Sequence, residues 1–213
     1  MTSSDSPLKD VLRSAFDRST ADHQSGDHQS GDHQSGVTAQ SGIAATARRL
    51  PVECGDIDMR IARDGTWFYH GSPIGRKPLV QLFAKVLRRE DDGHYYLVTP
   101  AERARITVED APFVAVEVDV AGEGRNQALT FRTSLDDTVT ADAAHPIRVA
   151  LDPATGEPSP YVVVRPGLEA RINRTVFYQL VEMGVEEPVQ GTPYYGVWSC
   201  NTFFPIGPAE RPV

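Results

Sequence analysis

The spacing of apolar residues separates an N-terminal segment from a folded body that begins near Val52. In the body, residues 58–62 alternate as in a β-strand, a polar turn follows, and residues 67–69 return. This arrangement predicts a β-hairpin. A helix is predicted next, because Pro78 suits a first helical turn and the apolar residues behind it recur at helical spacing. Those apolar residues are Leu79, Leu82, Phe83, Val86 and Leu87.

The rest of the body alternates between short apolar segments and turn residues, and the segments predict β-strands. They are residues 94–98, 104–108, 113–120, 128–133, 138–142, 147–151 and 160–164. A second helix is predicted over residues 168–183, with Gly184 as its C-terminal glycine. We therefore predict an α+β fold of two similar lobes, residues 52–112 and 113–213. In each lobe antiparallel strands pack on one long helix.

One series of elements occurs twice in this pattern: a strand, an arginine near a helix start, a helix and an aromatic strand. The first copy starts at residues 67–69 and contains Arg76, and the second starts at residues 161–165 and contains Arg165. Ligands often bind where two such units meet. The duplication therefore predicts a binding site at the junction between the lobes.

Residues 1–51, ahead of the body, have two features. Residues 6–19 are amphipathic and predict a short helix, which docks either on the body or on a partner or membrane. The sequence DHQSG then occurs three times over residues 22–36, without an apolar residue. The repeated histidines raise the alternative of metal binding. Composition favours a mobile spacer over residues 21–40 that is dispensable for folding.

Composition narrows the classes of partner. The chain has 213 residues, a formal net charge of -8 and a pI near 5.2, which argues against a general nucleic-acid binder. No signal peptide or apolar stretch of membrane-spanning length is recognised, so we expect a cytoplasmic protein without a membrane span. Cys54 and Cys200 lie too far apart in sequence to form a metal or redox motif. We expect no metal or other cofactor.

The predicted second helix carries the clearest candidate site. Arg171, Arg174 and Tyr178 project from one side of it, and Arg165 precedes its first turn. Guanidinium groups near a helix N-terminus suit an anion, and a tyrosine ring suits a base. The alternative is a solvated helix face held by ion pairs. Arg76 projects from the apolar side of the first helix, where it either reaches solvent or is buried against a carboxylate or a ligand.

With these residues identified, the body resembles a bacterial family known as domain of unknown function family 1285. The stretches that carry the resemblance are residues 55–67, 73–76, 79–83, 96–102, 108–114, 161–168 and 197–200. Cys200 and Asn201 replace a glycine that is usual in the last stretch. The resemblance implies a duplicated core whose C-terminal half is similar to a pleckstrin-homology domain. It also implies a cleft between the halves for a nucleotide-like ligand, a role in signal transduction, and no established catalytic residues.

The expected function is therefore non-enzymatic binding of a small anionic ligand between the lobes. The residues expected to line that site are Arg76, Thr99, Arg165, Arg171, Arg174, Tyr178 and Ser199. Two alternatives remain open. One is an interaction module that holds a protein partner at a sheet edge. The other is an enzyme of unknown class that uses Cys200 or Ser199 as nucleophile.

Overall fold

The computed structural model describes residues 51–209. The predicted N-terminal helix and the DHQSG repeats lie outside the described residues. The first lobe contains β1 (Val52–Ile61), β2 (Trp67–Tyr69), β3 (Ser72–Pro73), α1 (Lys77–Val86), β4 (Leu87–Arg89), β5 (Tyr95–Val98) and β6 (Glu102–Val108). The second contains β7 (Phe113–Ala121), β8 (Ala128–Thr133), β9 (Thr138–Thr140), β10 (Ile147–Leu151), β11 (Pro158–Arg165), β12 (Leu168–Ile172) and α2 (Arg174–Glu182). It ends in β13 (Val185–Val189), β14 (Thr192–Ser199) and β15 (Thr202–Pro208).

The two lobes share one sheet topology. The first sheet has the order β3-β2-β1-β6-β5-β4, and the second has the order β9-β8-β7-β12-β11-β10. In each sheet the first and last strands of the lobe's six pair in parallel, and the other neighbours pair antiparallel. A three-stranded sheet, β13-β14-β15, follows the second. The α+β fold with two similar lobes is confirmed, and each sheet adds one central parallel pair to the predicted antiparallel strands.

The predicted correspondence between the elements of the two copies is wrong. The sequence pattern matched residues 161–165 with residues 67–69, but sheet order makes β11 the counterpart of β5. The helices mislead because they are not equivalent. The helix α1 lies between β3 and β4, whereas α2 follows β12. Their similar arginine and aromatic neighbours arise at different points of the repeated unit.

The predicted start of the second helix is also wrong. Residues 168–172 form the strand β12, in which Leu168, Ala170 and Ile172 alternate as buried residues. The helix begins at Arg174, and the Asn173 side chain accepts a hydrogen bond from the Val176 N–H at 2.8 Å. Apolar residues at 168, 172, 176 and 180 fit a helical period throughout, which hid the strand. The signal for the true start was an asparagine at the N-cap.

Gly184 follows α2 as predicted, but for a different reason. It does not have the positive φ of a left-handed helix cap. A Cβ atom at Gly184 would instead overlap the ring of Tyr195, whose hydroxyl donates a hydrogen bond to the Val181 carbonyl at 2.7 Å. The glycine is therefore required by close packing of β14 on the end of α2.

The lobes pack directly on each other and share a continuous apolar core. A Cβ atom at Gly65, in the β1–β2 turn, would lie 2.9 Å from Val114 Cγ2 at the start of the second sheet. From α1, Lys77 Nζ pairs with Asp136 at 2.8 Å and Gln81 donates to the Leu135 carbonyl at 2.8 Å, both in the β8–β9 turn. The β1–β2 turn of the first lobe therefore contacts the second lobe, and the β8–β9 turn of the second lobe contacts the first. Within residues 51–209, no helix is long and apolar enough to cross a membrane.

Candidate functional site

A cavity of about 600 Å³ lies where the first lobe meets the second. The first lobe contributes the β1–β2 turn, and the second contributes the start of β11, the end of β12 and the first turn of α2. The lining residues are Arg63, Asp64, Val114, Glu157, Pro158, Pro160, Arg171, Ile172, Asn173, Arg174, Phe177 and Tyr178. Three of the predicted ligand-binding residues, Arg171, Arg174 and Tyr178, are thus brought together. We call this space the junction cavity.

The start of α2 fixes two of these side chains. The backbone N–H of Asn173 donates to the Ala115 carbonyl at 3.0 Å, while its side chain caps the helix. Arg174 is therefore the first residue of α2, and Tyr178 lies one turn later on the same side. Arg174 Nε donates to the Tyr178 hydroxyl at 2.9 Å, and this hydrogen bond raises the pKa of Arg174. The remaining N–H groups of the guanidinium are available to a ligand.

Arg171 reaches the cavity from a strand. It lies opposite Tyr161 in the β11–β12 ladder, and its Nη1 is 3.5 Å from Asp110 Oδ2. Arg63, from the first lobe, contacts the same oxygen through Nε at 3.4 Å. The Tyr161 hydroxyl donates to the other oxygen, Asp110 Oδ1, at 2.7 Å. Burial, followed by this hydrogen bond, raises the pKa of Tyr161.

The arginines of the junction cavity differ in how they are neutralised. Arg63 and Arg171 share the single carboxylate of Asp110, whose side chain is 15% exposed. The contacts of 3.4 and 3.5 Å are longer than those of a well-formed charge-assisted hydrogen bond. Arg174 pairs with no carboxylate of residues 51–209 and is exposed. The cavity therefore contains guanidinium donors that the protein itself does not saturate.

Arg165 lies outside the junction cavity, although it also bridges the lobes. Its Nη2 donates to the Ala84 carbonyl in the last turn of α1 at 2.8 Å, and its guanidinium lies 5.3 Å from the centre of the Phe113 ring. Burial lowers the pKa of Arg165, and its Nε has no hydrogen-bond partner among the described residues. It precedes β12 and not the helix, so it packs α1 against the second lobe and does not approach α2.

The structure does not bring Arg76 or Thr99 to the junction cavity. Arg76 is the N-cap residue of α1 and is exposed, so the prediction that it lies on the apolar helix face is wrong. The helical projection does not apply to a residue in extended conformation ahead of the first turn. Thr99 closes the β5–β6 turn: its Oγ1 accepts from the Glu102 N–H at 3.0 Å and donates to the Glu102 carbonyl at 3.2 Å.

Ser199 is fully buried at the end of β14. Its hydroxyl donates to the Ala141 carbonyl at 2.6 Å and accepts from the Leu129 N–H at 3.0 Å. Both hydrogen bonds go to backbone groups, and Ser199 does not line the junction cavity. Cys200 is exposed in the β14–β15 turn, where it and Asn201 have φ of 47° and 60°. No histidine of residues 51–209 is hydrogen-bonded to the Cys200 thiol or the Ser199 hydroxyl.

Sequence reasoning missed three contributors to the site, which are Arg63, Asp110 and Phe177. The sequence identified Arg63 only as part of a hairpin turn, and its approach to Asp110 depends on how the lobes pack. Asp110 lies in the connection between β6 and β7, and its contacts with Arg63 and Arg171 likewise depend on tertiary packing. Among the described residues no group of three or more His, Cys, Asp or Glu side chains has the arrangement of a metal site.

Comparison with known proteins identifies the family. Residues 47–111 match the N-terminal domain of the family DUF1285, and residues 112–206 match the C-terminal domain of the same family, a protein of unknown function. A crystal structure of a DUF1285 family protein from Silicibacter pomeroyi DSS-3 is 52% identical, with a TM-score of 0.69 over 80% of this chain and 90% of that one. A DUF1285 family protein from Shewanella baltica OS155 is 28% identical, with a TM-score of 0.48 over 60% of this chain and 92% of that one.

No protein with curated annotation matches the chain. The two domain matches are consecutive and together span both lobes, from residue 47 to residue 206. The chain therefore belongs to the DUF1285 family, whose function is not known.

Proposed function

We propose that this protein binds a small anionic, nucleotide-like ligand in the junction cavity and acts as a non-enzymatic sensor in signal transduction. The observation that carries the proposal is the position of Arg174. Its guanidinium is exposed to the cavity and hydrogen-bonded to a tyrosine, and no carboxylate of the described residues neutralises it. An arginine with free donors beside other arginines favours an oxyanion.

The cavity suits a ligand with a ring as well as an anion. Phe177 and Tyr178 provide aromatic surface on α2, and Pro158 and Pro160 of β11 also line the cavity. Tyr178 is 52% exposed and lines the cavity, so its ring is accessible to a ligand. A volume of about 600 Å³ lies within the range of small-molecule sites. These features support a planar group on the aromatic side and an anion on the arginine side.

A sensor also requires that binding affect more than one element. Arg63 belongs to the first lobe and Arg171 to the second, and both contact Asp110 in the connection between β6 and β7. An anion that contacts both arginines would add a link between the lobes. We expect such a ligand to stabilise the packing of the lobes by mass action.

The sheet edges give little support to the alternative of strand addition by a protein partner. Of the four edge strands of the two six-stranded sheets, β3 has two residues and contains Pro73, β4 and β9 have three residues each, and the longer β10 lies against β15. Short edges and proline discourage pairing with another chain. The enzyme alternative would need a base at Cys200 or Ser199, and no histidine in residues 51–209 hydrogen-bonds either side chain.

Isothermal titration and thermal-shift measurements with nucleotides and sugar phosphates test the proposal, with Arg174→Ala as the variant. Arg76→Ala is a matched control, because Arg76 is also exposed at a helix N-terminus but lies outside the junction cavity. We expect Arg174→Ala to weaken binding at least tenfold, which corresponds to about 1.4 kcal/mol, and to leave the melting temperature unchanged. Arg76→Ala should bind as the wild type does.

Two results would refute the proposal. One is that no member of the panel binds the wild-type protein. The other is that Arg174→Ala unfolds the protein without a specific effect on binding, because Arg174 would then hold the fold together. Equal loss of binding in both arginine variants would instead indicate a general effect of net charge.

A further inference from the structure

The charges that line the junction cavity are mixed. Arg63, Arg171 and Arg174 are accompanied in the lining by two carboxylates, Asp64 and Glu157. A third carboxylate, Asp110, lies behind the cavity against two of the arginines. The formal charges of these six groups cancel. A site of this kind is poorly matched to a polyanion, whose extra charges would meet the carboxylates.

The two lining carboxylates are not equally engaged. Asp64 Oδ1 accepts from the Thr66 N–H at 2.9 Å within the β1–β2 turn, and this hydrogen bond lowers the pKa of Asp64. Glu157 is exposed at the entry to β11 and takes part in no ion pair of the described residues. The lowered pKa keeps Asp64 ionised at neutral pH, and Glu157 keeps both oxygens for a ligand.

We infer that the ligand of the junction cavity is zwitterionic: an anionic group contacts Arg171 and Arg174, and a cationic amino group contacts Glu157. This inference rests on the proposed function and narrows its ligand class. Arg174 and Glu157 both line the junction cavity, so the two groups can act on one small molecule. An ammonium group placed between Glu157 and Asp64 compensates carboxylates that would repel a simple anion.

The inference explains why the cavity keeps carboxylates beside its arginines. In a site for a simple anion, Glu157 lowers affinity, because it repels the ligand and competes for Arg174. In a site for a zwitterion, the same carboxylate raises affinity for the correct ligand and lowers it for ligands without the amino group. The effect of removing the Glu157 charge therefore has opposite signs for the two ligand classes.

The test uses two ligands that share a phosphate and differ in the amino group, namely 2-aminoethyl phosphate and ethyl phosphate. Their affinities for the wild type and for Glu157→Gln are measured by NMR chemical-shift titration at neutral pH, which covers millimolar dissociation constants. Glu182→Gln is the control, because Glu182 is exposed at the far end of α2 and its substitution changes the net charge equally.

We expect the wild type to prefer 2-aminoethyl phosphate about twofold to fivefold, in line with an exposed ion pair. Glu157→Gln should lose that preference, with weaker binding of 2-aminoethyl phosphate and tighter binding of ethyl phosphate, while Glu182→Gln behaves as the wild type. If the wild type binds both phosphates equally and Glu157→Gln tightens both, the inference is overturned and anion binding stands. If neither phosphate binds, the inference fails, and the titration with nucleotides and sugar phosphates decides the proposed function separately.

Discussion

Replacement of Ser199 by alanine separates a structural role from a ligand-binding role. Leu129 and Ala141 are neighbours where β8 meets the end of β9, and the Ala141 N–H donates to the Leu129 carbonyl at 2.9 Å. The reciprocal hydrogen bond, from the Leu129 N–H to the Ala141 carbonyl, does not form directly. The Ser199 hydroxyl lies between the Leu129 N–H and the Ala141 carbonyl and bonds to both, at 3.0 and 2.6 Å. The hydroxyl therefore completes the β8–β9 ladder and ties it to β14.

The expected loss of stability follows from the two groups left without a partner. A buried donor or acceptor that loses its partner costs about 1–3 kcal/mol. Ser199 has no exposed surface, so water cannot replace the hydroxyl without a rearrangement. In the variant, the Leu129 N–H and the Ala141 carbonyl would move closer together and recover part of the lost hydrogen bonding. We therefore expect the free energy of unfolding to fall by about 2–3 kcal/mol in total. For a domain of this size, that corresponds to a melting temperature lower by about 5–10 °C.

Thermal melting and urea denaturation, followed by circular dichroism, measure the change. Ser72→Ala is the control, because Ser72 is exposed in the edge strand β3 and should tolerate the substitution. Ligand affinity of the folded Ser199→Ala protein should equal that of the wild type. A variant with wild-type stability but lost ligand binding would refute this reasoning and restore Ser199 to the site.

Two further predictions concern packing and protonation. Gly184→Ala should lower stability by about 1–3 kcal/mol in urea denaturation, the usual cost of overpacking, because its Cβ would overlap the Tyr195 ring. An unchanged midpoint would show that β14 moves away from α2 freely. The pKa of Tyr161 is raised in the folded protein, so the folded state holds this proton more tightly than the unfolded state. Its contribution to stability is present below about pH 10 and is lost as pH rises through the folded pKa. The free energy of unfolding of Tyr161→Phe should therefore fall less steeply than that of the wild type above about pH 10. Parallel curves of stability against pH would contradict the assignment of this effect to Tyr161.

The local elements of the fold were readable from the sequence where two independent signals agreed. The β1–β2 hairpin had alternation on both sides of a polar turn, and the structure pairs Ile61 with Trp67. The helix α1 had Pro78 in its first turn and a clear apolar face. The start of α2 failed because Leu168, Ile172 and Val176 satisfy a helical period even where the backbone is a strand. Periodicity alone does not separate a five-residue strand from the helix that follows it.

The candidate site was found in part for a reason that proved wrong. Arg171 and Arg174 were grouped because a helix would place them on one side, but Arg171 belongs to β12. The two still meet, because β12 runs straight into the capped start of α2 and both line the junction cavity. The contribution of Arg63 was not readable, since it depends on the approach of the β1–β2 turn to the second lobe. Contacts between the lobes are set by tertiary packing, and the local patterns of a single sequence do not predict them.

The duplication also explains why the cavities of the two lobes differ in how their arginines are neutralised. A second cavity, of about 360 Å³, lies in the first lobe at the start of β5 and the end of β6, which are the counterparts of β11 and β12. Its arginine, Arg105, is held by both oxygens of Asp56, with Nη2 to Oδ2 at 2.5 Å. The chain after β6 must cross to the second lobe, so no helix forms there to present another guanidinium.

After β12 the chain is free to form α2, which buries Val176 and Leu180 and leaves Arg174 exposed at its start. Counted from the end of each strand, Asp110 after β6 and Arg174 after β12 occupy the same place, the second residue beyond it. The first copy thus supplies a carboxylate that holds Arg63 and Arg171, and the second supplies an arginine without such a partner. Anion binding is therefore expected where the two copies diverge, and the repeated sheet serves to hold the divergent segments against each other.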